Sequence, residues 1–170
     1  MRSPDEIRSL LRQRTTVADG AMGTLLAEQR IPLPYEMANL TDPQAVENAH
    51  AAYVAAGAHL IETNTFGANR IKLGAHVLQR SLKEINREAV AIAKRAAGPD
   101  TIVAGAIGPC GRALAPSGAV HAEEAAHAFR EQAEVLLNEG VDLILLETFH
   151  NIEELRTAHA AVRSLGDVPI

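Results

Sequence analysis

Four short apolar runs, centred near Val17, Ile61, Val103 and Leu145, recur along the chain at intervals of 44, 42 and 42 residues, and the stretches between them read as helices. Strands alternating with helices at this rhythm give a parallel sheet with right-handed crossovers. The side chains available for a core agree. Aromatics make up only 3% of the 170 residues and tryptophan is absent, so the interior must be built from Ala, Val, Leu and Ile, which suits helices packed on such a sheet. Two α/β architectures fit: an open doubly wound sheet, or the opening half of an eight-stranded (β/α) barrel.

The helix boundaries are marked by local chemistry. Ser3-Pro4-Asp5-Glu6 is a capping box with proline at the first helical position, and Thr41-Asp42-Pro43-Gln44 is a second capping box. The second opens a helix of about 13 residues that ends at Gly57. Ser81 is placed to cap a helix whose apolar positions Ile85, Ala89, Ile92, Ala93 and Ala96 fall at helical spacing, ended by Gly98-Pro99. A helix over residues 122–138 ends at Gly140, and Asn151 can cap a last one to about residue 164. Residues 168–170 read as the entry to a fifth strand.

Charge and composition exclude several functions. Sixteen basic against 21 acidic side chains leave a net charge of −5 with no basic block, which removes the electrostatic footprint of a nucleic-acid binder. The polar N-terminus offers no signal core and no stretch reaches spanning length, so neither export nor a membrane partner is expected. The single cysteine, Cys110, cannot form an internal disulfide, in keeping with a reducing, cytoplasmic setting.

Polar residues follow each apolar run. Asp19 comes after the first, Glu62 to Asn64 end the second, a glycine-rich loop over residues 105–111 follows the third, and Glu147 ends the fourth. In a (β/α) barrel these strand ends build the active site. Asp19 and Glu147 form a pair suited to holding an ammonium group or to acid–base work. Each also has a simpler account, Asp19 as an Asx turn before Gly20 and Glu147 as a helix cap. Thr63, Asn64 and Thr65 suit loop backbone satisfaction. Phe66 and Phe149, at equivalent positions after strands, suggest walls of one pocket. The loop around Gly108 lacks the G-x-G-x-x-G spacing, and Pro109 has no backbone donor, so a dinucleotide site is not expected. One cysteine without partners at ligand spacing does not make a metal site.

The strings VADGAMGTLL (17–26), ANLTDP (38–43), AGAHLIETNTFGANRIKL (56–73), AGAIGP (104–109) and LILLETF (143–149) resemble, in collinear order, the homocysteine S-methyltransferase family. NLTDP combined with ETNTFGANRIKL looks most like bacterial chains in which the methyltransferase is fused to a methylenetetrahydrofolate reductase, then like the homocysteine module of cobalamin-dependent methionine synthase. The resemblance implies a (β/α)8 TIM-type barrel of which residues 1–170 supply about the first four βα units. It implies homocysteine as substrate, a zinc ion that activates the thiol, a methylfolate or methylcobalamin donor, and FAD where a reductase is fused. Carried over by position, Asp19 and Glu147 match the acidic residues that hold the substrate ammonium, while Gly20, Ala21, Thr65 and Phe66 match positions that shape the pocket. The family's zinc cysteines lie beyond Ile170 and Cys110 matches none of them. No metal ligand and no methyl transfer are therefore expected of these residues alone.

Two other functions compete with that reading: a non-catalytic binding or assembly half-barrel, and a phosphate-binding barrel of another family using the loop around Gly108. A half barrel also exposes unpaired strand edges. The isolated chain is expected to aggregate or dimerise, and a monomer in size-exclusion chromatography that unfolds cooperatively at high temperature would contradict this.

Overall fold

A computed structural model describes residues 2–170. Three parallel strands, β1 (Leu60–Glu62), β2 (Ile102–Ile107) and β3 (Leu143–Leu146), lie side by side in chain order. Leu60 pairs with Ile102, and Ala104 with Leu143. The α/β reading with parallel neighbours therefore stands. The expected first strand is reduced to one parallel bridge, Ala18 to Leu60, flanked by bonds from the His59 and Leu60 amides to the Val17 carbonyl. Its ladder has no room to grow: the first helix ends at Gln13, the turn at Gly20 follows, and Val17 is half exposed. Residues 168–170 likewise form no strand. Their one tie to the sheet is the Ile144 amide donating to the Pro169 carbonyl, and Pro169 has no N–H to return.

The helices are α1 (Pro4–Gln13), α2 (Met22–Glu28), α3 (Ala38–Thr41), α4 (Pro43–Ala55), α5 (Arg70–Gly74), α6 (Leu82–Ala97), α7 (Ala122–Asn138) and α8 (Ile152–Arg163). Ser3 and Glu6 close the capping box on α1, and Asn151 accepts from the Glu153 and Glu154 amides at the start of α8. Two expected caps differ. Asp42, not Thr41, caps α4 by accepting from the Ala45 amide, because Thr41 belongs to the preceding helix and donates to the Met37 carbonyl. Ser81 makes no capping bond, since residues 79–81 form a tight 3-10 turn that runs straight into α6.

Alternation along the strands gives the sheet two different faces. Ile61, Val103, Ile107 and Ile144 point into the main core, against Val90 and Ala93 of α6, Phe129 and Leu136 of α7, and Ala158 and Val162 of α8. Leu60, Ile102, Ala104 and Leu143 point the other way, where Ile7 of α1 packs on them. Arg2 fixes that helix at the N-terminal ends of β2 and β3, bonding the Pro99 and Thr101 carbonyls and Asp142. Among the described residues no helix is long and apolar enough to cross a membrane.

Phe129 is completely buried where α7 meets the sheet. Its replacement by Ala removes a large side chain from a close-packed site, so Phe129→Ala should lose about 3–5 kcal/mol in urea unfolding.

Candidate functional site

At the C-terminal ends of the strands the chain encloses a cavity of about 430 Å³. The segment after Ala18 contributes Asp19, Gly20 and Ala21 and the start of α2. The end of β1 contributes Glu62, Thr63, Asn64 and Phe66, and the end of β3 contributes Glu147 and Thr148. Tyr35 and Glu36, on the 3-10 turn before α3, close another side. Of the residues expected from sequence, Asp19, Gly20, Ala21, Phe66 and Glu147 thus meet around one space. Thr65 stands behind its wall, fully buried, its hydroxyl donating to the Ala106 carbonyl at 2.7 Å and lying 2.6 Å from the Thr63 hydroxyl.

Phe149 does not share a wall with Phe66. Its ring packs on Phe129 at 5.8 Å in the helical core, because the left-handed turn at Thr148 (φ +59°) redirects the chain after Glu147. His150 is exposed and takes no part in the lining. Phe66 lies so close to Gly108 that a Cβ there would fall on its ring, while Lys72 Nζ sits 4.2 Å from the ring centroid on another side. Gly20 meets a similar limit, since a Cβ would come within 3.1 Å of the Tyr53 hydroxyl.

The loop from Thr63 to Asn69 is held from behind by side-chain amides. Asn39 of α3 donates to the Asn64 carbonyl at 2.9 Å, Asn86 of α6 to the Ala68 carbonyl at 3.0 Å, and Gln132 of α7 to the Thr65 carbonyl at 2.8 Å. Asn64 returns a bond to the Asn39 side chain and another to the Tyr35 carbonyl. Asn69 caps α5 and reaches the Pro109 carbonyl. Glu36 accepts from the Gly67 amide at 2.6 Å. A buried loop survives only when its backbone groups are paired, and here four side chains from outside the loop, those of Asn39, Asn86, Gln132 and Glu36, supply partners.

The electrostatics are dominated by carboxyl groups. Asp19 Oδ2 accepts from the Glu62 amide at 3.0 Å, whereas its buried Oδ1 has no hydrogen-bond partner among the described residues. Burial, with Glu147 nearby, pushes the Asp19 carboxyl up to about 6. Glu62 and Glu147 line the cavity together, and burial, then Glu147, then Asp19 push Glu62 up to about 8. Burial raises Glu147 too, opposed by its bonds to Glu62 and Thr148 and by the Lys72 charge. Glu62 is the residue that pairing Asp19 with Glu147 overlooks. It ends its strand as they end theirs, but the polar string behind it hides it as one loop residue among several. Glu36 had no comparable signal, for it acts through a fold that brings residue 36 to residue 67.

The donor set does not fit a thiolate-held metal. Cys110, the chain's one cysteine, is outside the lining, its thiol donating to the Arg112 carbonyl, and burial with Glu154 beside it pushes the thiol up to about 11. Among the described residues no three His, Cys, Asp or Glu side chains are grouped to hold an ion. An anionic ligand fits no better, since the lining offers Asp19, Glu36, Glu62 and Glu147 and no basic side chain. What this wall can do is pair with a cation that donates several hydrogen bonds.

A family model described as homocysteine S-methyltransferase matches residues 16–170. The methionine synthases of Mycobacterium leprae (strain TN) and Mycobacterium tuberculosis (strain ATCC 25618 / H37Rv) are each 34% identical over 167 residues, covering 90% of this chain and 14% of their own length. The metallated form of the homocysteine methyltransferase MmuM from Escherichia coli superimposes with a TM-score of 0.80 at 23% identity, over 98% of this chain and 64% of that one. Its apo form gives 0.69, over 95% and 59%.

The raised Glu62 carboxyl fixes the sign of a pH effect. A folded-state value of about 8 against an ordinary 4.5 means the folded chain holds more protons in that interval, so Glu62's contribution to stability falls as pH rises through it. His50, buried with neither ring nitrogen bonded, is pushed down by burial to about 4 and acts oppositely at lower pH; comparison with Glu62→Gln cancels it. In urea unfolding, wild type should lose about 1–2 kcal/mol relative to Glu62→Gln between about pH 5 and 8.5, the full shift being discounted for solvent screening.

Proposed function

The chain belongs to the homocysteine S-methyltransferase family, and on that premise we propose that it is the amino-acid-recognising part of a (β/α)8 enzyme that methylates the sulfur of homocysteine to give methionine. The observation that carries this reading is the carboxylate-lined cavity at the strand ends, with its buried, partnerless Asp19 Oδ1. Homocysteine presents an ammonium group with three N–H donors, and Asp19 and Glu147 are its acceptors. Gly20 and Ala21 keep the first turn low enough to admit the amino-acid backbone. Phe66 covers the aliphatic chain, and Thr65 holds the strand end that carries Phe66 by bonding to Ala106.

The chain spans 14% of the curated relatives it matches, so the remaining chemistry is assigned to sequence outside these residues. In the complete enzyme we place a zinc ion there, held by cysteines after residue 170. Bound there, it would lower the pKa of the substrate thiol and so supply a nucleophilic sulfur. The same outside sequence supplies the methylfolate or methylcobalamin donor site, and an FAD-containing reductase where one is fused. The residues of this chain bind the amino-acid end, orient it, and shield it from water. The setting proposed is cytoplasmic, with no nucleic acid or membrane as partner. A phosphate-binding barrel is disfavoured by the four lining carboxyls.

Asp19→Asn and Glu147→Gln each remove one charge-assisted acceptor of the ammonium. Calorimetric titration of the full-length protein with L-homocysteine should show affinity reduced about 10- to 100-fold in each. Unchanged affinity in both variants would defeat the assignment.

A further inference from the structure

We propose that Glu62 and Glu147 form a one-proton acid pair: Glu62 neutralises the ligand-free pocket and gives its proton to solvent when the substrate ammonium takes that proton's place between the carboxylates. The inference rests on the homocysteine reading of this pocket and adds a positioning residue to it.

The geometry carries the argument. Strand alternation puts Glu62 and Glu147 on the same face of the sheet, the face of Leu60, Ala104 and Leu143. They come from strands that are not neighbours, because β2 runs between them. On that face β2 presents Ala104 and then Ala106, both buried, and a methyl is too short to keep two glutamates apart. Both carboxyls line one cavity with Asp19 and Glu36 and no basic side chain, burial raises each of them and Glu147 raises Glu62 further, and one proton held between the pair relieves that repulsion. Deprotonating both would set two half-buried anions in contact.

The surroundings do not supply a substitute cation. Facing the pair are Asp19 from the segment before α2, Glu36 from the turn before α3, and Tyr53 of α4, whose hydroxyl lies against Gly20. Lys72 of α5, whose Nζ lies over the Phe66 ring, lowers Glu147 through its charge but is not in the cavity lining. An incoming ammonium brings one positive charge and three donors, matching Glu62, Glu147 and the partnerless Asp19 Oδ1. One proton leaves as one positive charge arrives. At the carboxyls the charge is thereby conserved, apart from the carboxylate the ligand itself brings, and a ligand without the ammonium cannot make the exchange.

The test uses the full-length protein and L-methionine, which has no thiol proton of its own, with its desamino analogue 4-(methylthio)butanoate as control. Calorimetry at about pH 7 in buffers of different ionisation enthalpy should count about one proton released per L-methionine bound by wild type, close to none for Glu62→Gln, and none for the control. Affinity of wild type should rise about tenfold per pH unit between about pH 6.5 and 7.5 and stay nearly flat in Glu62→Gln. Carbon-13 NMR of the ligand-free protein should show a glutamate carboxyl titrating near pH 8 that is lost in both Glu62→Gln and Glu147→Gln. Equal proton release by wild type and Glu62→Gln, or no such carboxyl, overturns the acid pair while leaving the substrate reading intact. Failure of wild type to bind either L-methionine or L-homocysteine overturns the substrate reading and the exchange together.

Discussion

The structure depends on one act of hydrogen bonding, the capture of the loop after β1 by amides that reach it from three helices. Residues 63–69 run through the interior with only Glu62 before them, the half-buried Phe66 among them and Arg70 after them less than fully covered. Their carbonyls cannot bond to water, so Asn39, Asn86 and Gln132 serve them instead. Each amide comes from a helix that also packs hydrophobically, and the loop's position is therefore fixed by the whole helical layer. Removing one such donor would strand a buried carbonyl, which costs more than the bond itself contributes. The rigidity is transmitted outward to Phe66 and to the Glu36 clamp on Gly67, which together define one side of the cavity.

Against that rigid wall, the carboxyls are an electrostatic liability the fold accepts. Four of them line one space, and their nearest cation, Lys72, is occupied with an aromatic face. No gain in stability follows from gathering like charges in a half-buried place. Arrangements of this kind are retained for what they bind, and a donor-rich cation is the ligand that relieves the strain. The same chemistry explains why the lone cysteine is kept elsewhere: a thiol pinned to a backbone carbonyl and driven up by burial is an inert packing group.

Much of this was legible in the residues. The apolar rhythm of about 42 residues places β1, β2 and β3 correctly, and Asn151, Gly57 and the Ser3 to Glu6 box mark helix ends through purely local bonds. Asp19 and Glu147 are visible because each is a charge at the end of an apolar run. The first strand was legible as a position and not as a ladder, since between the end of α1 and the turn at Gly20 only the Ala18–Leu60 bridge forms. Phe149 illustrates a second limit: its sequence context mirrors that of Phe66, yet a single left-handed residue, Thr148, turns it toward Phe129. Glu36 and the amide clamp were illegible for a third reason. Their partners are 18 to 67 residues away, and nothing in a local pattern records which carbonyl a buried amide will serve.

Because the strands lie in the sheet in the order in which they occur in the chain, each βα unit can dock on the one made just before it. A ribosome delivers such a fold in the right sequence: β1 and its helix are available when β2 arrives, and no strand must wait for a distant partner to be inserted between existing ones. The acid site follows a different schedule. Asp19 and Glu62 are made early, but Glu147 enters only with the end of β3, when α6 and α7 are already made and α8 is still to come. The nascent chain thus has two of the three helices of its main core, α6 and α7, before the last of its mutually repelling charges arrives.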